Sequence, residues 1–192
     1  MPLKITLVIC ALLILGNQQF SRQFPSFELQ TSTGDTLTND FFLGKTTIVC
    51  MGHIECFPAL ILMNDLDSLS KSFDTSQYQI LCILENTQEH IDLFYHDSIS
   101  THWRSMRSML NIDTLHYPLI PECQTQNLVV SGTDTLIGKH CRVLSKKVRT
   151  KDSPTILLVD EKGNIKFKDK GYIALASKEE RMLFLNEFLM NH

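Results

Sequence analysis

The chain has 192 residues, 43% of them hydrophobic, with a formal net charge of −3 and a pI near 6.1. That length and apolar content suffice to bury one core, which predicts one domain behind a targeting segment. The slight acidity, with no dense basic cluster, argues against a nucleic-acid partner.

Residues 1–20 read as a signal peptide or N-terminal anchor. Lys4 precedes an apolar run from Ile5 to Leu15, and Gly16 and the polar Asn17-Gln18-Gln19 follow it. The run is shorter than a comfortable membrane span, so the expectation is an exported, periplasmic protein that meets the membrane only through this segment if it is left uncleaved.

Residues 21–192 read as the domain. Ser21 to Asp40 predicts an extended segment and a hairpin: Phe27-Glu28-Leu29 alternates, Ser32-Thr33-Gly34-Asp35 is turn chemistry, and Thr36-Leu37-Thr38 resumes. Thr46 to Met51 is a β-branched and apolar run that predicts a buried strand. The run breaks at Gly52, presents Cys56 and Pro58, and passes into helical spacing to about Phe73, with Leu62, Leu66, Leu69 and Phe73 on one stripe. Gln79 to Leu84 is a near-continuous apolar stretch, as in a strand covered on both faces. Thr87 is a candidate N-cap for a helix through His96, and a second helix follows from Thr101 to Leu110.

The stretch from about 112 to 150 reads as an irregular insertion. Pro118 and Pro121 bracket a short extended piece there, and Leu136 to Val148 reads as a helix. Beyond it, Thr155 to Val159 and Ile165 to Lys168 predict two strands joined by a turn at Asp160–Asn164. Ser177 and Glu180 form a capping box for a last helix whose Met182, Leu185, Phe188 and Leu189 face the core. The order predicts an α/β fold with a central mixed sheet.

The chemistry concentrates at Cys56. A cysteine at the start of a helix faces unpaired amide N–H groups and the positive end of the helix dipole, and both favour thiolate. Pro58 suits the first helical turn, where its missing N–H costs nothing. Against this, the neighbouring Glu55 opposes the helix dipole. Cys50 and Cys82 sit inside apolar strands and read as core. With Cys10 in the leader, five cysteines remain, and in an oxidising compartment an odd count leaves at least one thiol outside intramolecular pairs. Cys123 and Cys141 are candidates either for resolving a disulfide on Cys56 or for a structural bridge with each other. His53 lies near Cys56 but has no partner identifiable in the sequence. No cysteine or histidine spacing suits zinc, so neither a metal nor a cofactor is expected.

These landmarks resemble the exported thioredoxin-like proteins of the TlpA/ResA group, within the wider redoxin (AhpC/TSA-like) family. The resemblance rests on Phe27-Glu28-Leu29 with Gly34, Gly44-Lys45, Cys56-Phe57-Pro58-Ala59, and Ser153-Pro154-Thr155 followed by Leu158-Val159-Asp160 and Gly163. It implies a thioredoxin-like fold with an N-terminal β-hairpin extension, thiol–disulfide exchange, and partners that carry a thiol or disulfide, whether proteins or small thiols. It also implies that Ser153–Pro154 is a cis-proline edge beside the nucleophile, where a substrate peptide lies. The family motif is Cys-x-Pro-Cys, and here Ala59 stands where the resolving cysteine is expected. The resemblance therefore predicts either a single-cysteine exchange protein or a binding module that has lost catalysis. A copper-handling site lacks the Cys-x3-Cys spacing it needs, and a peroxidatic site lacks the Thr-x-x-Cys threonine, whose position His53 takes.

Overall fold

The computed structural model describes residues 22–31, 34–96, 101–110, 115–123, 128–131, 135–138, 141–169 and 176–190. The leader predicted over residues 1–20 lies outside them.

Six strands make the central sheet: β1 (Arg22–Gln23), β4 (Thr46–Gly52), β5 (Tyr78–Thr87), β6 (Leu119–Cys123), β9 (Thr155–Val159) and β10 (Asn164–Asp169). Their order is β1-β10-β9-β4-β5-β6. β4 runs parallel to β5, and β5 to β6, whereas β9 lies antiparallel to β4 and to β10. The sheet is therefore mixed, with β4 at its centre. Two further strands, β2 (Glu28–Gln30) and β3 (Thr36–Thr38), form the N-terminal hairpin, and β7 (Leu128–Ser131) pairs with β8 (Thr135–Gly138).

Alternation along β4 builds a core on each side of the sheet. Ile48 and Cys50 face α1 (Phe57–Ser70), together with Leu60, Leu62 and Leu66 of that helix and Leu185 and Phe188 of α5 (Lys178–Met190). Val49 and Met51 face the other way, towards Phe24, Phe27 and Phe42 and towards Leu144 and Val148 of α4 (Val143–Val148). The three phenylalanine rings meet pairwise, edge-on or tilted, at 5.0–5.9 Å between centroids and so hold the hairpin region against the sheet. α2 (Gln88–His96) and α3 (Thr101–Leu110) extend the first core through Ile91, Phe94 and Met106.

Burial on two sides explains why α1 carries buried acids as well as leucines. Asp65 is fully covered, and it accepts hydrogen bonds from the Arg181 guanidinium of α5, the nearer at 2.5 Å. Such a pair gives little net stability when intact, but removing one partner strands a buried charge. Asp67 accepts from the His116 backbone and ring and from Lys71. Burial pushes its carboxyl up, and those hydrogen bonds outweigh burial and hold it below the ordinary carboxylate range.

The capping expectations hold. Thr87 accepts from the His90 N–H at 3.2 Å, and Ser177 and Glu180 exchange backbone-to-side-chain bonds at the start of α5. Three expectations need correction. The helix after Cys56 ends at Ser70, because Lys71 closes it and Phe73 lies beyond. Leu136 to Val148 is not one helix: β8 covers Thr135–Gly138 and α4 begins only at Val143. The supposedly irregular stretch contains β6, buried along its whole length; Pro121 is tolerated because β6 is an edge strand with one side free of ladder bonds.

Candidate active site

β4 ends at Gly52, and residues 53–56 turn sharply before α1. The Cys56 N–H donates to the His53 carbonyl at 3.1 Å, closing the turn, and the Cys56 carbonyl accepts from Ala59 and Leu60 to start the helix. Cys56 is thus the N-cap residue of α1, with Pro58 in the first turn. Its thiol donates to the Ser153 carbonyl at 3.4 Å. Ser153–Pro154 is a cis peptide, so Cys56 and the proline edge singled out from the sequence come together.

Gly52 is needed for this approach. A Cβ at that position would stand 3.0 Å from Ser153 Oγ and 3.1 Å from Ala59 Cβ. Ala59 is fully buried at this junction, and among the described residues Ser153 Oγ is buried with no hydrogen-bond partner. Phe57, by contrast, is partly exposed beside Cys56.

Glu55 does not simply set a charge beside the thiol. Its carboxylate reaches back to the end of β5, where the Asn86 amide donates to both oxygens at 3.1 and 3.0 Å. Asn86 Oδ1 is already taken by the Ile54 N–H at 3.0 Å, which fixes the orientation of the amide. Its amino group therefore also faces His90 Nδ1, at 3.2 Å. That leaves the His90 proton on Nε2, which lies 3.2 Å from Glu55 Oε1. On the outer side, His53 Nδ1 lies 3.2 Å from Glu55 Oε2. His53 thus has a partner, contrary to the sequence expectation. His90 and Asn86 are fully buried, whereas His53 and Glu55 keep 23% and 29% of their side chains exposed.

Cys123 and Cys141 are joined by a disulfide, and so neither is a free thiol. The bridge ties the start of α4 to β6 beside β5: the Cys141 N–H donates to the Glu85 carbonyl at 2.8 Å, and Arg142 Nε donates to the Glu85 carboxylate at 2.8 Å. Glu122, just before Cys123, takes hydrogen bonds from the Leu144 N–H and the Ser145 hydroxyl, and burial pushes its carboxyl above the ordinary range. These contacts form the far bank of an open groove of about 430 Å³, lined by His53, Cys56, Glu85, Arg142, Lys151, Asp152 and Ser153.

Among the described residues the free cysteines are Cys50, Cys56 and Cys82, and Cys56 alone is not buried. Cys50 and Cys82 stand opposite each other on β4 and β5. Their mutual hydrogen bonding, and then burial, pushes the Cys82 thiol well above the ordinary range. Among the described residues no three His, Cys, Asp or Glu side chains converge as a ligand set for a metal ion.

No model of a known protein family matches the chain, and no curated protein sequence matches it. Solved structures do match. The chain has the thioredoxin fold. It is similar to the exposed lipoprotein thioredoxin of Streptococcus pneumoniae, at 16% identity and a TM-score of 0.53, over 85% of this chain and 99% of that one. It is similar also to a Chlorobium tepidum protein assigned as thiol:disulfide interchange protein DsbE, at 11% identity and TM-score 0.56, over 88% and 94% of the two chains. A third match is the yeast mitochondrial 1-Cys peroxiredoxin, at 10% identity and TM-score 0.56, covering 89% of this chain and 76% of that one.

Glu85, Asn86, His90 and Arg142 were missed in the sequence. The signal for the first two was the pair of polar residues that ends the apolar run of β5, because sites in α/β sheets gather at the carboxyl ends of strands. Arg142 carried no local signal, since a disulfide and β6 bring it to the groove.

Proposed function

We propose that the chain is an exported thioredoxin-fold protein, akin to the TlpA/ResA group, that carries out thiol–disulfide exchange through Cys56 alone. The observation that carries this reading is a free, partly buried cysteine at the N-terminus of α1, its thiol held 3.4 Å from the carbonyl of a cis Ser153–Pro154 edge. The deprotonated sulfur attacks a disulfide, the Cys56–substrate S–S bond forms, and the second substrate sulfur leaves as a thiolate that takes up a proton. Ala59 offers no thiol for the return step, and Cys123 and Cys141 are bonded to each other. An external thiol therefore has to release the bound half, which makes the cycle a monothiol one. The apolar N-terminal run and the Cys123–Cys141 bridge support export, since disulfides persist in oxidising compartments.

The alternative, a binding module without catalysis, draws support from Ala59, whose methyl group is packed fully at the position of the expected second thiol. One experiment separates the two readings. On incubation with hydroxyethyl disulfide, intact-mass analysis should show one mercaptoethanol adduct on the wild-type protein and none on Cys56→Ser. A wild-type protein that takes no adduct favours the binding module.

A further inference from the structure

Resting on that reading of Cys56, we propose that His90 is a positioning residue for the exchange and holds the Cys56 turn only while its ring is neutral. Protonating His90 releases the turn and slows reaction at Cys56. The influence runs through Asn86 to Ile54, which lies in the turn that the Cys56 N–H closes on the His53 carbonyl.

A backbone N–H can only donate, so the Ile54 N–H, 3.0 Å from Asn86 Oδ1, fixes which end of the Asn86 amide faces the turn. The amino end then meets both Glu55 oxygens, at 3.1 and 3.0 Å, and His90 Nδ1, at 3.2 Å. An amino group has no acceptor to offer, so Nδ1 keeps its lone pair and the ring is the neutral tautomer with its proton on Nε2. This requirement falls on Nδ1 alone, whatever else the ring touches.

An imidazolium carries a second N–H, on Nδ1, pointed at that amino group. Two donors then face each other where both residues are fully buried, away from solvent. Turning the amide over gives Nδ1–H an acceptor, but the amino group then opposes the Ile54 N–H, and Glu55 loses its bonds from Asn86. The ring has little room to withdraw, since the His90 N–H is bonded to Thr87 Oγ1 at 3.2 Å. One amide cannot serve an imidazolium and Ile54 together. Glu55 Oε1, 3.2 Å from His90 Nε2, attracts the charged ring and so favours the change, and His53 stands on the outer side of the same carboxylate. β5 and β6, which pack on α2, bring Glu85 and Glu122, engaged by Arg142 and by the start of α4; α2 itself adds the exposed Glu89 and Asp92.

The test follows three quantities from about pH 8 to 5, the range in which an imidazole ordinarily titrates. They are the His90 ring by NMR, hydrogen-exchange protection of the Ile54 N–H corrected for its intrinsic rate, and adduct formation with hydroxyethyl disulfide corrected for the thiolate fraction of Cys56. In the wild-type protein Ile54 protection should fall about tenfold in step with His90 titration, the size expected for one buried hydrogen bond. Adduct formation should slow several-fold at the same midpoint, while the Leu81 N–H in β5 keeps its protection. His90→Asn supplies a carbonyl oxygen near the Nδ1 position that does not titrate, and both profiles should become flat. Ile54 protection that ignores His90 titration, a His90 that does not titrate over this range, or unchanged profiles in His90→Asn overturns the proposal. The wild-type measurements decide it alone if His90→Asn does not fold. A Cys56 that takes no adduct at any pH overturns the exchange function instead, and the role of His90 in holding the turn then stands or falls on Ile54 protection.

Discussion

The turn that carries Cys56 is held by non-covalent contacts: the Ile54 N–H donates to Asn86, the Asn86 amide donates to Glu55, and His53 Nδ1 lies 3.2 Å from the same carboxylate. The opposite bank of the groove, which brings Glu85 and Arg142 there, is fixed by the covalent Cys123–Cys141 bond and an ion pair. One side therefore keeps a free thiol and exchangeable protons, while the other has its sulfur chemistry spent on structure. The exchange proposed for Cys56, through a single sulfur, needs this division. A second free thiol on the facing bank would offer an internal exchange partner, and a disulfide placed within the turn would consume the nucleophile.

The comparison can be broken most decisively by moving a resolving thiol to the Cys56 side. Ala59→Cys places a thiol in the first turn of α1, three residues beyond Cys56. Oxidation should then join the new thiol to Cys56 and remove essentially all alkylation of Cys56 until reductant is added. Unchanged alkylation would show that Cys56 is held away from that position. Next in size, Cys123→Ser combined with Cys141→Ser opens an 18-residue separation and should cost about 3 kcal/mol in urea unfolding. Adduct formation at Cys56 should persist in that variant; its disappearance would give the far bank a chemical role. Smallest, Asn86→Ala leaves the buried Ile54 N–H and Glu55 without their partner, at a cost of about 1–3 kcal/mol. Its adduct formation should slow on alkyl disulfides, and an unaltered rate would mean that the turn does not depend on β5.

Local chemistry made much of this fold legible in the sequence. The apolar run of β4, the Cys56-to-Pro58 break and the Ser177/Glu180 box each act within a few residues of themselves, and each was read correctly. β6 was read only as a short extended piece in an irregular stretch, because Pro118 just before it and Pro121 within it resemble a loop until the strand is known to lie at the edge of the sheet. The residues around Cys56 divide in the same way. Cys56, Pro58 and Pro154 announce themselves by type and spacing. The partner of His53 is only two residues away, yet the side chain of Glu55 finds its direction from Asn86 and His90, more than thirty residues later. Contacts across the sheet have no sequence period, so they could not be read from one chain.

The central claim is that Cys56 is the thiol that exchanges, and peptide mapping of the protein after incubation with hydroxyethyl disulfide tests it most directly. The account predicts one adduct, located on the peptide containing Cys56, with Cys50 and Cys82 unmodified and Cys123 still bonded to Cys141. No adduct, or an adduct on any other cysteine while Cys56 stays free, would contradict it.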